Sequence, residues 1–286
     1  MQAIVSGLVL GGLYALLALA FVLTYQATKT LNFALGEFVT AAGFLVVALA
    51  ADLPGWLSLV LAVLLVGLLG AGVERLVVRP FNAGVHDIRW LLTTAGLSLV
   101  MLDLLRNSQG GGTVAVGVGE IAGFVDVLDA RVSTQSLLIL ALAVLLTVLL
   151  AWFTQRTRAG SVFRAVAEDR QTAALMGLNP GLVALGSYAA AMAVAALAGI
   201  LWSVEVGLSI AVGPSLLVAG FAAAILGGLD SLLGALLGGL LYGLVTVVAT
   251  YHVGTTFGGI IGLLLVVGLL AVRPQGLLGR AVRVKV

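Results

Sequence analysis

The stretch QAIVSGLVLGGLYALLALAFVLTYQATKTLNFALGEFVTAAGFLVVALA, Gln2–Ala50, holds only two charged residues, Lys29 and Glu37. Two long apolar runs, Gln2–Tyr25 and Val39–Ala51, flank the polar heptapeptide NFALGEF, Asn32–Phe38. A run of about 20 apolar residues is long enough to cross a bilayer core as a helix. A carboxylate placed between two such runs is costly in lipid, which marks it as a functional candidate.

The rest of the chain has the same character. Of its 286 residues, 62% are hydrophobic and 9% charged, against about 25% charged in soluble domains. The mean hydropathy is +1.23. These values predict an integral all-α membrane protein, because a β-barrel would show short alternating segments. The net charge of +2 is no nucleic-acid footprint. Cysteine is absent and histidine occurs only as His86 and His252, which excludes disulfides, thiolate chemistry and a histidine metal cluster. The amino terminus lacks a positive flank and a cleavage site, so its first apolar run reads as a retained span.

The apolar pattern predicts spans at Gln2–Tyr25, Leu31–Ala51, Trp56–Val78, Ile88–Arg106, Ser136–Gln155, Leu182–Val204, Ser231–Tyr251 and Thr255–Val272. A further piece, Pro214–Gly227, reaches only about 21 Å, short of a roughly 30 Å core. Bounded by proline and Gly-Gly, it reads as a short or re-entrant helix. The expected fold is thus one polytopic bundle over residues 1–286, with about 8–9 spans. Alternating the spans from an outside amino terminus, with the short piece as a crossing, places Lys29, Arg75, Arg79, Arg89, Arg156, Arg158, Arg164, Arg170, Arg273, Arg280, Arg283 and Lys285 on the inner side. Only Arg106 and Arg131 fall outside, so an N-out, C-in orientation follows from the positive-inside rule.

Two polar segments interrupt the spans. The outer one, about residues 107–135, contains a Gly110–Gly112 turn and Glu120, Asp126 and Asp129; it reads either as a solvated connection or as a surface for a partner. The inner one, about residues 156–181, is RTRAGSVFRAVAEDRQTAALMGLNPG. It predicts one amphipathic helix from Ser161 as cap to Met176, ended by Gly177. Arg164, Glu168 and Gln171 share a face about 60° wide at 100° per residue. Val162, Val166 and Ala173 lie opposite, with Asp169 and Arg170 at the edges. Charges of both signs favour docking to a protein over resting on lipid.

Two segments are alike: GLVLGGLYAL (Gly7–Leu16) and GALLGGLLYGL (Gly234–Leu244). They read as possible copies of one repeat. No GxxxxGK[ST] motif exists, and the lysines are Lys29 and Lys285 alone, so ATP has no P-loop here. HExxH is also absent. The intraspan ionisable residues considered for ion coupling are Glu37, Asp103 and Glu205. Asp103 and Glu205 fall near span ends, with Asp103 one turn from Arg106; Glu37 alone lies several residues inside a span.

Four stretches together carry a family resemblance. NFALGEF resembles the NFAHGE-type motif of branched-chain amino-acid ABC transporter permeases. RAVAEDRQTAALMGLN resembles that family's cytoplasmic coupling segment, LGGLDSLLGALLGGL its GGxGSxxGAxxGG stretch, and RPQGLLG (Arg273–Gly279) its closing signature. They follow the family's order from about residue 5 to 280, closest to the LivH-type subunit. Leu35 stands where histidine is common in that family, and Asp230 where a small residue is usual. The resemblance implies a non-enzymatic permease subunit in a bacterial inner membrane. Its partners would be a second, LivM-like permease, two cytoplasmic ATP-binding subunits that carry ATP and Mg, and an external solute-binding protein. No cofactor belongs to this chain itself.

On that reading Arg164, Glu168, Asp169 and Arg170 contact the ATPase. Asn32, with Phe33 and Glu37, would line a gate or path facing Gly213, Pro214 and Ser215. Asn32 is expected to cap the helix that carries Glu37. A buried hydrogen-bond network that locks the first hairpin is the competing account of the same residues. Branched-chain amino acids are the implied substrates, with urea, short amides and other amino acids open. A stand-alone secondary transporter or channel for a small polar solute, and a non-transporting membrane scaffold, are the alternative classes.

Overall fold

The computed structural model describes residues 2–82, 88–109, 123–127 and 130–279. The described residues form α1 (Gln2–Thr28), α2 (Leu35–Ala50), α3 (Gly55–Val73), α4 (Arg89–Gln109), α5 (Thr134–Arg156), α6 (Arg158–Glu168), α7 (Arg170–Leu175), α8 (Pro180–Glu205), α9 (Val212–Gly227), α10 (Leu232–Val253) and α11 (Thr255–Val272). The chain is an all-α polytopic membrane protein. Each predicted span has a helical counterpart. Five are long and apolar enough to cross: α1, α3 with its extension to Phe81, α5, α8 and α10. The short piece starts two residues earlier than predicted, at Val212, and spans 16 residues.

Three local features depart from the expected bundle. First, α3 does not simply end. It passes into a π-helical turn, Glu74–Val78, and then a 3-10 turn, Arg79–Phe81. Second, part of the polar segment at about residues 107–135 pairs as an antiparallel hairpin, β1 (Phe124–Val127) with β2 (Ala130–Ser133). The Gly110–Gly112 turn, Glu120 and Asp129 lie outside the described residues, as do Arg280, Arg283 and Lys285. Third, Asp103 accepts a hydrogen bond from the Asn107 amide, one turn on, at 3.2 Å.

Two compact units divide the chain: residues 1–22, 122–151 and 219–286 form one, and residues 23–121 and 152–218 the other. In the first, the two look-alike segments are each other's packing partners. A methyl group on Gly7 would lie 2.9 Å from the Leu244 Cα, and one on Gly11 2.8 Å from the Leu240 Cα. From the other side, Gly239 meets the Ala15 backbone and Gly243 that of Gly11. The two helix backbones touch, as small residues permit in a membrane bundle. Tyr14 and Tyr242 pack edge to face beside this seam, with centroids 5.5 Å apart.

The closing RPQGLLG stretch also has a structural task in this unit. The Leu277 and Leu278 amides donate to the Leu226 and Gly227 carbonyls at 2.8 and 3.0 Å. They satisfy acceptors that the end of α9 would otherwise leave open.

In the second unit α8 packs against both α2 and α3. Its core includes Phe38, Phe44, Val66, Tyr188, Met192 and Ile200. The outward faces of α3, α5 and α11 are leucine and valine: Leu68, Leu145, Leu149, Leu264 and Val267 are all exposed. Such faces suit lipid and not water.

Candidate functional site

All the predicted site residues fall in the second unit, in two groups. The first surrounds the start of α2. Asn32 is fully buried, and its Oδ1 accepts the Ala34 amide at 3.0 Å. This is a local Asx turn, not the expected helix cap: Ala34 occupies the cap position and α2 begins at Leu35. The reason is geometric. Asn32 lies two residues before that position, and its carbonyl already closes the turn through the Leu35 amide. The Asn32 Nδ2 is buried without a hydrogen-bond partner among the described residues. Phe33 is half-buried in the same turn.

Glu37, 2% exposed, sits in the first turn of α2. Helix N-termini carry partial positive charge, which offsets part of the cost of a carboxylate there. Ser98 on α4 hydrogen-bonds to it, yet Oε2 has no hydrogen-bond partner among the described residues. A half-satisfied buried carboxylate is a large expense of free energy for a purely structural role.

The start of α9 lies directly on α2 at Gly36. Gly36 stands against the Gly213 carbonyl, and a methyl group there would also come within 3.0 Å of the Leu217 Cβ. A methyl group on Gly213 would lie 2.9 Å from the Thr40 Oγ1. Gly36 and Glu37 differ by 100° around the helix; one faces α9 and the other engages α4. Pro214 and Ser215 are exposed, with Ser215 Oγ donating to the Val212 carbonyl at 2.8 Å. Behind α2, Gly199 of α8 abuts the Val39 carbonyl. Such close backbone contacts on several sides leave α2 little freedom to tilt by itself.

The second group is the polar segment at about residues 156–181, which is two helices and not one. Thr157, not Ser161, caps α6 by accepting the Gly160 amide at 2.9 Å. The helix stops at Asp169, whose backbone is extended at φ −151°, ψ 107°. Asp169 then caps α7, accepting the Gln171 and Thr172 amides at 2.9 and 3.1 Å and the Thr172 hydroxyl at 2.7 Å. These hydrogen bonds, the Thr172 hydroxyl first, hold its carboxyl below the usual aspartate range. An aspartate with a threonine three residues on favours capping over continuing a helix, a signal the periodicity count passed over.

Gly177 ends α7 as expected. Its φ is +82°, and the Leu178 amide reaches back to the Ala173 carbonyl at 3.1 Å, the bonding of a Schellman stop. Phe163, Val166 and Ala173 are buried, while Arg164, Glu168, Leu175 and Met176 are exposed. Arg164 donates to its neighbour Ser161 Oγ at 3.4 Å. Arg170 is half-buried.

Sequence reasoning missed a third feature. Glu74 is 1% exposed, and its Oε2 has no hydrogen-bond partner among the described residues. Tyr188, fully buried on α8, shares its hydroxyl with Thr30 at 3.0 Å; Thr30 meets the Thr28 hydroxyl at 2.7 Å. Asn82 donates to the Thr28 carbonyl at 3.1 Å. This hydroxyl chain ties the connection between α1 and α2 to α8. The available signal was a carboxylate in ERLVVRPF, inside an apolar span and beside two arginines.

Comparison with known proteins now bears on these features. The family model described as "Branched-chain amino acid transport system / permease component" matches residues 3–269. The chain belongs to that permease family. The LivH high-affinity branched-chain amino acid permease protein of Escherichia coli K12 is 28% identical, with 98% of this chain and 96% of that protein covered. The BraD permease protein of Pseudomonas aeruginosa PAO1 gives the same identity and coverage. A probable LivH from Methanocaldococcus jannaschii is 25% identical over 96% of this chain and 91% of its own length. Among solved structures, PsaBC from Streptococcus pneumoniae in complex with Fab shares the fold, with a TM-score of 0.53 at 11% identity, covering 96% of this chain and 91% of that one. Family members of this kind are transport permeases, and this chain is a multi-pass membrane transport protein of that class.

Proposed function

We propose that the chain is the membrane subunit of an ATP-driven importer for branched-chain or related amino acids in a bacterial inner membrane. The observation that carries this reading is the family match over residues 3–269, joined to an exposed, mixed-charge helix pair on a chain without a P-loop. ATP and Mg would bind on two separate cytoplasmic subunits. A second, LivM-like permease would complete the membrane part, and an external binding protein would deliver solute. The orientation is N-out and C-in, supported by the arginine distribution.

In this reading α6 and α7 dock into the ATPase. Arg164 and Glu168 supply polar contacts, Leu175 and Met176 apolar ones. Asp169 serves by fixing the elbow between the helices, and Arg170, half-buried beside it, adds a further polar contact. Closure of the ATPase pair shifts the elbow, and the membrane helices change between two packed states. Asn32, Phe33 and Glu37, with Gly213, Pro214 and Ser215, form the gate or path. The unpaired Asn32 Nδ2 and Glu37 Oε2 support that role, because polar atoms left open in a packed core are ready to meet a passing solute.

The test is purification with the native partners and assay of ATP hydrolysis with solute-loaded binding protein. Stimulated hydrolysis and ATP-dependent uptake are expected. Replacing both Arg164 and Glu168 by alanine lowers uptake while leaving membrane insertion intact. Undiminished uptake in that variant defeats the docking role.

A further inference from the structure

The β1–β2 hairpin has no task in the reading above. Its place is fixed by two spans that begin beside it. The Thr134 amide, at the start of α5, donates to the Gly123 carbonyl at 3.0 Å. Ser133 ends β2 and its Oγ accepts the Ser136 amide at 3.0 Å, so the strand passes into the helix without a loop. The side-chain amide of Gln2, the first residue of α1, donates to the Arg131 carbonyl at 3.3 Å.

These ties set the depth of the hairpin. Helix α5 has 23 residues, with Arg156 at its far end. It is therefore about 35 Å long, against a roughly 30 Å hydrocarbon core. Thr134 lies within about 5 Å of the edge of that core, and the foot of the hairpin falls in the headgroup layer. The register sets Phe124 opposite Ser133 and Val125 opposite Val132, so both stand at this foot and not at the tip.

The side chains exposed there are of the wrong kind for water. Phe124 is 66% exposed and Val125 45%. An isolated two-stranded hairpin is marginal in water, and exposed apolar positions on its free edges invite aggregation. Arg131 lies two residues from Ser133, on the Phe124 face. Its guanidinium carbon stands 4.9 Å from the Phe124 ring centroid. The adjoining helix exposes Leu137 in its first turn and then Val144, Leu145 and Val148. The lipid-facing surface of α5 thus reaches the foot of the hairpin.

We propose that the β1–β2 hairpin is a membrane-surface anchor whose partner is the phospholipid headgroup layer. Phe124 and Val125 enter the acyl boundary, as aromatic and apolar side chains do at membrane interfaces. Arg131 lies along the Phe124 ring and turns its guanidinium to lipid phosphate, which its planar donor fork suits. Through the Gln2 contact and the Ser133 cap, the anchor sets the depth at which α1 and α5 begin. A soluble protein partner is the less favoured occupant, because the apolar pair sits at the foot, level with the lipid-facing helix, where such a partner has least access.

The anchor does not depend on the importer reading, and its test uses the isolated chain. The chain contains no cysteine, so Val125→Cys takes a single spin label. In nanodiscs of phosphatidylglycerol and phosphatidylcholine, the label's collision rates with oxygen and with a water-soluble nickel chelate are compared. A label at Leu145→Cys, exposed midway along α5, marks the hydrocarbon core, and free label in buffer marks water. The oxygen-to-nickel ratio at Val125→Cys is expected at least threefold above that of free label and below that of Leu145→Cys. Arg131→Gln lowers it at least twofold, and Arg131→Lys, which keeps the charge, lowers it less.

A ratio equal to that of free label overturns the proposal. So does a ratio that Arg131→Gln leaves unchanged. A label that is open to nickel in nanodiscs, and shielded from both reagents only when the external binding protein is added, assigns the face to that protein and overturns the lipid anchor. Should Val125→Cys fail to insert, Phe124→Cys carries the same depth comparison, because that side chain is also exposed.

Discussion

The two compact units are built with different chemistry. In the unit formed by residues 1–22, 122–151 and 219–286, the buried polar side chains among the described residues are Gln135, Ser136, Thr147 and the phenol of Tyr242, and the helices α1 and α10 meet through bare glycine backbones. In the other unit both buried carboxylates, Glu37 and Glu74, are found, together with Asn32 and the Thr28–Thr30–Tyr188 hydroxyls. The first is packed the way a lipid-embedded frame is packed, with close van der Waals contact replacing hydrophobic drive. The second keeps polar groups that weaken a core, and groups of that kind persist where they act.

The contrast is most sharply tested where it predicts opposite effects. The largest loss of folded protein is expected from Gly243→Leu in the α1–α10 seam. Its side chain would enter the Gly11 backbone, and overpacking of this kind costs about 1–3 kcal/mol or more. Size-exclusion profiles and thermal unfolding in detergent should show aggregation or a clearly lowered transition. A native profile would mean that the seam is looser than described.

Glu37→Gln should do the reverse. Removing a half-satisfied buried charge leaves the unfolding temperature unchanged or raises it, while ATP-driven uptake falls at least tenfold. A drop in stability with normal uptake per folded molecule would make Glu37 a structural residue, and the contrast between the units would fail at its main point.

These two predictions also show how far the sequence could be read. The helical class, the short Pro214 helix and the Gly177 stop are written in strong local signals: unbroken apolar length, proline and Gly-Gly at the ends, and a glycine at a positive φ. The resemblance of Gly7–Leu16 to Gly234–Leu244 was visible too, but periodicity does not distinguish repeated helices from helices shaped to fit each other. The elbow at Asp169 was hidden because a 3.6-residue pattern continues across it while the capping chemistry does not. Glu74 escaped because its neighbours Arg75 and Arg79 drew the segment into the charged flank of a span. Burial, which sets its meaning, arises only when α8 packs over it. Likewise Glu37 was found as a charge in an apolar run, but which neighbour it engages depends on the helix face that meets Gly213.

A smaller effect is expected from Tyr188→Phe. It removes the hydroxyl that meets Thr30 and leaves the ring in place, costing about 0.5–1.5 kcal/mol. The unfolding midpoint should fall slightly, with a loss of amide protection around residues 28–34. Unaltered protection there would show that the hydroxyl chain does not hold the connection.

The smallest and most local effect concerns the elbow. The hydrogen bonds that cap α7 favour ionised Asp169 and lower its pKa. A depressed carboxylate contributes its hold above the ordinary aspartate range and loses it as pH falls through the lowered value. Amide exchange over residues 170–175 should therefore be flat from pH 7 down to about pH 4, after correction for intrinsic rates, and should rise only below that. Asp169→Ala should show the fast exchange at every pH. Protection that is lost between pH 7 and pH 5 would point to a different group.

The account as a whole holds that the bundle is passive until an external motor moves its inner elbow. Proteoliposomes that contain this chain alone, given a proton or sodium gradient and labelled leucine, test this directly. No accumulation above the outside concentration is expected, and accumulation should appear only when ATP-binding subunits, the second permease, binding protein and ATP are supplied. Uphill accumulation by the isolated chain would contradict the account.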